Sequence, residues 1–334
     1  MQLVSGAAPT RPPDVSVVVP LFNEQENVPE LYRRLKITLA EAAPDHELVF
    51  VNDGSRDTTP GLLDQLHRQD PRVTVIHLSR NFGHQPAISV GISYARGQAV
   101  AVMDGDLQDP PEVLPDFFRA WRAGYDVVYA VRTRRKEGPL KRAGYYTFYR
   151  LLAKVSDIDI PLDSGDFCVM DRKVVAALNA LPERTRFVRG LRTFVGYKQI
   201  GLEYARDARA AGRPKYTFSA LVRLAIDGLV SFSTYPLRLA VYTGFVTAFL
   251  ALVLTAWVLV DALSNRTAPR GWASTLVIVI LMGSIQLVSL GIIGEYISRI
   301  FVEAKQRPSF VVARIERAVL NSESSQVAPG SRTE

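Results

Sequence analysis

Residues 100–112 read Val100-Ala101-Val102-Met103-Asp104-Gly105-Asp106-Leu107-Gln108-Asp109-Pro110-Pro111-Glu112. An apolar run ends there in two acids separated by one glycine, and a double proline follows, which predicts a buried strand and then a helix start. Because open α/β sheets bind their ligands at the carboxyl ends of strands, Asp104 and Asp106 are predicted to face a ligand. Their carboxylates are hard oxygen ligands suited to Mg²⁺ or Mn²⁺. The alternative is a solvated turn that is acidic without binding anything.

Apolar runs alternate with helical segments on both sides of this stretch. Such alternation predicts an α/β fold with a mostly parallel sheet and right-handed crossovers. The predicted strands besides that of residues 100–103 are 15–19, 47–51, 73–76 and 126–131, and the predicted helices are 25–42, one opening at 57 or 58, and 84–95. Further along, a turn feeding a strand is predicted at 164–170, and short strands at 200–204 and 310–312.

Polar clusters follow three of the predicted strands, at 20–24, 52–55 and 104–106. In a parallel sheet these strand ends share one edge, so the clusters should converge in one crevice. A nucleotide diphosphate bound there would need a metal to offset its charge, and carboxylates could accept hydrogen bonds from ribose or base. The sequence contains neither a Gly-x-Gly-x-x-Gly motif nor a P-loop, which argues against dinucleotide oxidoreductases and P-loop enzymes.

Two long spans, Leu239–Val260 and Gly271–Gly294, contain no charged residue. Each exceeds the roughly 20 residues that cross about 30 Å of hydrocarbon, so they predict a transmembrane hairpin. Arginine and lysine are more frequent on the outer flanks than in the connecting loop, which predicts that the sheet domain and both termini are cytoplasmic and the protein multi-pass in the plasma membrane. Residues 218–232, just before the first span, have the pattern of an amphipathic interfacial helix.

Bulk composition narrows the class of protein. The chain has 334 residues, a net charge of +7 and one cysteine, Cys168, which excludes an internal disulfide and a cysteine metal cluster. The short polar N-terminus shows no secretory signal. The basic residues lie beside the apolar spans, a placement that suits a membrane surface or a lipid phosphate rather than nucleic acid.

These features predict a domain organisation. It comprises a flexible N-terminus (1–13), a catalytic domain (14–216), a juxtamembrane region (217–236), two transmembrane helices (237–298), a cytoplasmic C-terminal segment (299–320) and a disordered tail (321–334).

Four motifs in order carry a family resemblance: Val18–Glu24, Val51–Asp57, Met103–Glu112 and Ser164–Phe167. They resemble the family 2 glycosyltransferases with a GT-A fold and, more narrowly, the polyprenyl-phosphate glycosyltransferases, the group of dolichyl-phosphate mannose synthase and the bacterial undecaprenyl-phosphate glucosyl and aminoarabinosyl transferases. The resemblance covers about residues 14–310, and the two apolar spans match the bacterial membrane branch. The Gln-x-x-Arg-Trp signature of processive polysaccharide synthases is absent.

The resemblance implies an inverting transfer of one sugar from a nucleotide-diphosphate donor, UDP rather than GDP by preference, to a polyprenyl phosphate. It assigns the nucleotide to Pro20, Asn23, Glu24 and Asp53, and the diphosphate to Asp104 and Asp106 through Mg²⁺ or Mn²⁺, with Gln108 nearby. The resemblance also suggests a homo-oligomer, with a tetramer as one candidate form. A non-catalytic nucleotide-sugar-binding membrane protein that regulates a partner remains the alternative.

Acceptor residues are less clearly marked. Asp166 is a candidate base or acceptor-positioning residue, with a turn-capping role as the alternative. Arg206, Arg209 and Lys215 are the first candidates for the lipid phosphate, and Arg132 and Arg134 the second. The acceptor phosphate is already largely dianionic near neutral pH, so it needs little help from a general base.

Overall fold

The computed structural model describes residues 12–132, 164–184, 186–205, 235–265 and 271–317, which divide into two compact units. The strands are β1 (Val15–Leu21), β2 (His46–Asn52), β3 (Val73–Leu78), β4 (Ala99–Val102), β5 (Val127–Arg132), β6 (Ser164–Asp171), β7 (Gln199–Tyr204) and β8 (Val312–Glu316). The helices are α1 (Val28–Ala42), α2 (Thr59–Gln69), α3 (His84–Tyr94), α4 (Leu114–Arg122), α5 (Arg172–Ala180), α6 (Val188–Phe194), α7 (Tyr235–Asn265) and α8 (Trp272–Ala304), with a 3₁₀ turn at Pro111–Val113.

The first unit is built on one sheet with the strand order β7-β5-β6-β4-β1-β2-β3-β8. Its centre, β4-β1-β2-β3, is parallel, as the sequence predicts. Every residue of these four strands is buried, because helices cover both faces of the sheet. Val17 and Val19 join the cluster containing Leu31 of α1, whereas Val18 contacts Gly91 of α3 on the opposite face.

The sheet is mixed beyond this centre, which corrects the expectation of simple alternation. β6 lies antiparallel between β4 and β5, so β5 is not the neighbour of β4. β5 is parallel only to β7. The segment predicted as a turn feeding a strand at 164–170 is strand from Ser164 onward, as part of β6. Antiparallel insertion depends on a pairing between distant residues, which local periodicity does not encode.

β8 completes the sheet at the far edge, antiparallel to β3. It spans Val312–Glu316 and therefore begins where the predicted strand at 310–312 ends. Two arginines from the basic flank that follows the second apolar span make contacts within this unit: Arg314 pairs with Asp64, and Arg317 donates to the Tyr94 carbonyl. Both guanidinium groups therefore help to hold β8 on the α/β unit.

The second unit contains the two long helices α7 and α8, which contact each other. Among the described residues, the Leu281–Ala304 part of α8 is long and apolar enough to cross a membrane. The apolar stretch of α7 that could be assessed, Leu239–Val253, is shorter. Large apolar side chains on both helices face outward: Phe245 is 72% and Leu287 71% exposed. The helices are confirmed as elements, whereas a double crossing of the membrane stays a prediction.

Candidate active site

Asp104 and Asp166 meet at the ends of two paired strands. Val102, the last residue of β4, is paired with Cys168 of β6; Asp104 lies two residues after Val102 and Asp166 two residues before Cys168, which is the same direction because the strands are antiparallel. The pairing of β6 with β5 shifts between Tyr129 and Val131, which are paired with Cys168 and Ser164. The regular pairing is therefore interrupted at residues 165–167, Asp166 included, and interruptions of this kind re-aim side chains near the rim of a sheet.

The start of α3 joins the two aspartates. His84 Nε2 lies 3.5 Å from Asp104 Oδ1 and 3.3 Å from Asp166 Oδ2. Gln85 Nε2 donates to the same Asp166 oxygen at 3.1 Å, while Gln85 Oε1 accepts from the backbone amide of Val188 at 2.9 Å. Gln85 therefore fixes the start of α6 relative to α3 and Asp166.

Opposite charges at this junction set the protonation states. Burial favours neutral imidazole, but the hydrogen bond to Asp166 and the charges of Asp104 and Asp166 outweigh it and raise the pKa of His84 to about 9. Burial also opposes ionisation of Asp166, yet His84 and the guanidinium groups of Arg189 and Arg192 hold its pKa well below the usual range. The site therefore contains an imidazolium and a carboxylate at neutral pH.

Two arginines of α6, Arg189 and Arg192, place positive charge near Asp166. Arg189 Nε lies 3.7 Å from Asp166 Oδ1, beyond hydrogen-bond length. Arg192 is 1% exposed, and its guanidinium lies 5.2 Å from the centre of the Tyr129 ring. Within the described residues, Asp166 Oδ1 and Arg192 Nε and Nη2 have no hydrogen-bond partner. Buried groups of this kind suit a site that a polar ligand completes.

Asp106 is fixed by the turn that follows it. The Gln108 amide donates to Asp106 Oδ1 at 3.1 Å. Leu107, between them, has a φ of 60° although it is not glycine, and its side chain is 5% exposed. A left-handed leucine costs about 1–2 kcal/mol, which its burial offsets. The strain lies beside a predicted ligand carboxylate, as is common at functional sites.

The C-terminal end of the 100–112 stretch is held by two side-chain contacts. Asp109 is buried and accepts a hydrogen bond from the Tyr204 hydroxyl of β7. Glu112 makes a bidentate ion pair with Arg34 of α1, at 2.8 and 2.5 Å. These contacts hold the acidic turn between two parts of the α/β unit.

A polar cleft of about 530 Å³ opens at the carboxyl ends of β1, β2 and β3. Its size falls within the range of ordinary small-molecule sites. The residues lining it are Phe22, Asn23, Asn52, Gly54, Ser55, Arg56, His77, Leu78, Ser79, Arg80 and Asn81. Of the residues predicted to bind nucleotide, Asn23 lines this cleft.

The other predicted nucleotide residues are held by their own contacts. Pro20 is a buried residue of β1 paired with Val51. Glu24 accepts a hydrogen bond from Asn27 at 2.6 Å. Asp53 is 3% exposed and accepts the backbone amides of Phe82 and Gly83 at 2.8 and 3.0 Å. Burial raises the pKa of Asp53, which these amides oppose.

Gly54 lets the 52–55 turn touch the loop before α3. Its φ is +64°, and an added Cβ would lie 2.4 Å from the Arg80 carbonyl carbon. Only glycine tolerates both the left-handed backbone and this close approach. Together, Asp53 and Gly54 fix the loop from Arg80 to Gly83, which leads directly to His84.

Asp104 and Asp106 suit a divalent cation only in part. Within the described residues there is no group of three or more histidine, cysteine, aspartate or glutamate side chains that could hold a metal. Burial raises the pKa of Asp104, and the neighbouring carboxylates Asp109, Asp166 and Asp106 add to that effect. A divalent cation would relieve this crowding. Mg²⁺ is commonly bound by one or two carboxylates with substrate phosphates as further ligands, so the pair fits a metal carried with a diphosphate.

The predicted acceptor residues are only partly described. Arg132 ends β5, where it is paired with Tyr204. Arg134, Arg206, Arg209 and Lys215 lie outside the described residues, as does the predicted amphipathic helix at 218–232.

Comparison with known proteins gives the family. The model of Glycosyl transferase family 2 matches residues 16–178, and that of the GtrB C-terminal hairpin matches residues 235–300. The uncharacterized glycosyltransferase YkcC of Bacillus subtilis is 46% identical to this chain over 90% of the chain and 93% of its own length. The chain belongs to glycosyltransferase family 2.

Two further relatives refine this membership. The prophage bactoprenol glucosyl transferase homolog of Escherichia coli is 40% identical over 91% of this chain and 99% of its own length. The bactoprenol glucosyl transferase of Shigella phage SfII is 40% identical over 91% and 98%. The predicted resemblance to the polyprenyl-phosphate group is thereby confirmed. The family 2 glycosyltransferase described here has a mixed α/β sheet of the GT-A kind and is an enzyme, which disfavours the non-catalytic alternative.

Sequence reasoning missed four residues of this site: His84, Gln85, Arg189 and Arg192. His84 begins α3. Its position directly after Arg80-Asn81-Phe82-Gly83 was the one available signal. The two arginines are brought near Asp166 by tertiary structure alone, so no local pattern marks them.

Proposed function

We propose that this glycosyltransferase moves one sugar from a nucleotide-diphosphate donor to a polyprenyl phosphate, with inversion at the anomeric carbon. The bond between that carbon and the diphosphate oxygen breaks, and a bond to an oxygen of the acceptor phosphate forms. The nucleoside diphosphate leaves with the electron pair. A dianionic phosphate needs no proton removed, so no general base is required.

The meeting of Asp104, His84 and Asp166 is the observation that carries this proposal. It lies at strand ends next to those of β1 and β2, whose loops form the polar cleft. A donor with its nucleoside in the cleft would direct its diphosphate toward Asp104 and Asp106. The relatives named as bactoprenol glucosyl transferases support the lipid acceptor and a glucosyl donor.

Asp104 and Asp106 would hold Mg²⁺ or Mn²⁺ on the diphosphate. When bound, the metal supplies charge neutralisation for the leaving group. Pro20, Asn23, Glu24 and Asp53 would shape the nucleotide end of the site, with Asp53 acting through the 80–83 loop whose amides it binds. Gln108 would set the orientation of Asp106 through its backbone amide.

Asp166 would position groups rather than accept a proton. Its carboxylate is held by His84 and Gln85 and faces Arg189, and its low pKa makes it a weak base. The arginines nearby would reduce the repulsion between two phosphates that approach each other. Arg206, Arg209 and Lys215, followed by Arg132 and Arg134, remain the candidates for direct contact with the lipid phosphate.

Residues 235–304 would form a two-helix membrane anchor. The outward-facing apolar side chains of α7 and α8 support this, since soluble surfaces rarely carry large contiguous apolar patches. The catalytic unit and both termini would lie in the cytoplasm at the plasma membrane. We also propose a homo-oligomer, with a tetramer as the first form to test, by analogy with the family.

A donor screen tests the proposal. Purified protein in detergent is incubated with Mn²⁺, undecaprenyl phosphate and one labelled nucleotide sugar at a time. The mass of the lipid product is then measured by mass spectrometry. We expect a product one hexose heavier than the acceptor from a UDP-sugar, with UDP-glucose first. Donor hydrolysis without a lipid product, across all donors tested, would contradict the acceptor assignment.

Two variants distinguish the loss of a metal ligand from the loss of an exposed surface carboxylate. Asp106→Asn should reduce turnover by about a hundredfold or more, because a metal supplies several kcal/mol of charge stabilisation. Asp116→Asn removes a carboxylate from an exposed ion pair on α4 and should retain activity. Equal activity of the two variants would argue against a ligand role for Asp106.

A further inference from the structure

A continuous run of polar side chains crosses the sheet from its outer edge to the polar cleft. It starts at Arg314 on β8, passes through Asp64 on α2 and His77 on β3, and ends at Asn52 on β2. We call these four residues the Arg314–Asn52 relay. His77 and Asn52 also line the cleft, so the run ends where a ligand would bind.

The polar atoms at each link of the relay lie within hydrogen-bonding distance of each other. Arg314 Nη2 donates to Asp64 Oδ2 at 2.6 Å, and Asp64 Oδ1 lies 3.0 Å from His77 Nε2. His77 Nδ1 lies 3.0 Å from Asn52 Nδ2. His77 is 5% and Asn52 4% exposed, so water competes little for these bonds.

The pattern of donors permits one protonation state of His77. Asn52 Oδ1 accepts the Ser55 amide at 3.0 Å, so the amide nitrogen of Asn52 must be the group that faces His77. An NH₂ group only donates, so Nδ1 of His77 must be an unprotonated acceptor. The ring proton then lies on Nε2 and is donated to Asp64. Protonation of Nδ1 would bring two donors together and break this link.

Asn52, at the end of the relay, takes part in the hydrogen bonds that hold the turns lining the cleft. Ser55, whose amide is held by Asn52, accepts the Asn23 amide through Oγ at 2.9 Å. Asn23 in turn accepts the Arg56 amide through Oδ1 at 2.8 Å. The turns after β1 and β2 are thus locked to each other and, through Asn52, to His77.

We propose that β8, through the Arg314–Asn52 relay, positions the nucleotide-binding turns of this enzyme. The proposal rests on the proposed function, because it takes the cleft to be the nucleoside site. The four residues act as positioning residues: Arg314 holds Asp64, Asp64 fixes the His77 tautomer, and His77 orients Asn52. β8 is the next strand after α8 in the chain, so the segment that leaves the proposed membrane anchor is linked to the cleft through Asp64 and His77.

Charges around His77 agree with this arrangement. Burial lowers the pKa of His77, and Arg314 on β8 lowers it further. Asp64 on α2 and Glu316 on β8 act in the opposite direction. His77 therefore stays neutral at pH 7, as the hydrogen-bond pattern requires.

Steady-state kinetics of Arg314 variants test the proposal on the full-length protein. Arg314→Ala should raise the KM for the nucleotide sugar roughly threefold to tenfold, the size of coupling within one hydrogen-bonded network, and leave kcat within about twofold. Arg314→Lys should restore most of the affinity, because an ammonium can still reach Asp64. Arg33→Ala is the matched control, since Arg33 pairs with Glu30 on the exposed surface of α1 and should keep the wild-type KM.

Histidine NMR tests the relay without any donor. The chain has four histidines, so selective ¹⁵N labelling and a His77→Asn variant assign the His77 signals. The wild type should show neutral His77 protonated on Nε2 at pH 7, and Asp64→Asn should change its ring shifts and raise the share of the other tautomer. A wild-type His77 protonated on Nδ1 would overturn the relay.

The outcomes separate the two levels of the account. A donor KM unchanged in Arg314→Ala, with an active wild type, would overturn the relay and leave the proposed function standing. A fall in kcat and thermal midpoint at constant KM would also overturn it, because a purely structural role predicts that pattern. A wild type that binds no nucleotide sugar would overturn the proposed function, and the relay's role with it.

Discussion

Tyr204 gives the buried carboxylate of Asp109 a hydroxyl donor on β7. Removing that hydroxyl in Tyr204→Phe leaves a polar group in the interior short of a partner, which costs about 1–3 kcal/mol. Thermal unfolding in detergent should show the loss, and activity should fall as well, because Asp109 continues the turn that carries Asp106. Tyr197→Phe is the control, since its hydroxyl makes no hydrogen bond within the described residues. Equal midpoints for the two variants would contradict the role given to Tyr204.

Gly54 is required by both its backbone angle and its neighbours. Gly54→Ala places a Cβ 2.4 Å from backbone of Arg80 at a φ of +64°, so we expect a loss of at least about 2 kcal/mol and weaker donor binding. Gly61→Ala, on α2, has nothing within 4 Å of the added Cβ and should be neutral or slightly stabilising. Donor titration and thermal unfolding measure both. A Gly54→Ala variant with wild-type affinity would show that the turn does not shape the cleft.

The lowered pKa of the Asp70 carboxyl should make the stability of the fold depend on pH. Burial opposes its ionisation, but hydrogen bonds from Arg72 and Tyr32 outweigh this and lower the pKa to about 2. A carboxyl whose folded pKa is depressed contributes stability above its ordinary pKa and loses it as the pH falls toward 2. Asp70→Asn should therefore cost roughly 1–2 kcal/mol at pH 7 and progressively less below pH 4. A gap between wild type and variant that is constant from pH 7 to pH 3.5 would contradict this.

Single residues of the site differ in how far the sequence marks them. Asp104 and Asp106 stand out because an acidic pair after an apolar run has a local signature. His84 and Arg189 do not, because their roles arise from contacts with Asp166, which lies 82 and 23 positions away in the chain. Asp53 was assigned to the nucleotide by resemblance, whereas its carboxylate holds the 82–83 amides.

At the scale of elements, β8 is an edge strand that protects β3. Replacing residues 312–316 by glycine and serine removes the side chains of its pairs with β3 and the Arg314–Asp64 ion pair. Cross-strand pairs contribute roughly 0.2–1 kcal/mol each, so the thermal midpoint should fall by about 5 °C. A replacement that leaves the midpoint and the donor KM unchanged would show that β8 is dispensable.

The central strands were predictable because each is a short apolar run buried on both faces. The antiparallel placement of β6 was not, because its partners in β4 and β5 are separated from it by many residues. β8 was placed two residues early, since its partly exposed Val-Ala-Arg-Ile-Glu sequence lacks strict apolar–polar alternation and so gives little contrast with a loop. Pairing, rather than propensity, decides these edges.

At the scale of the molecule, the chain combines an α/β unit with a pair of long apolar helices. This division was visible in the sequence as two uncharged spans after a region of alternating strands and helices. It accounts for a soluble donor and a lipid acceptor meeting at one enzyme: the cleft is polar, and the outward faces of α7 and α8 are apolar. The acidic turn between Asp104 and Glu112 would be where the two substrates react.

The most direct test of this account is the transfer of labelled sugar from a UDP-sugar to undecaprenyl phosphate, measured with and without EDTA. We predict that thorough chelation abolishes the glycolipid product, that added Mn²⁺ or Mg²⁺ restores it, and that Asp106→Asn stays inactive under both conditions. Full glycolipid formation after chelation, or equal activity of Asp106→Asn, would contradict the metal-assisted mechanism at Asp104 and Asp106.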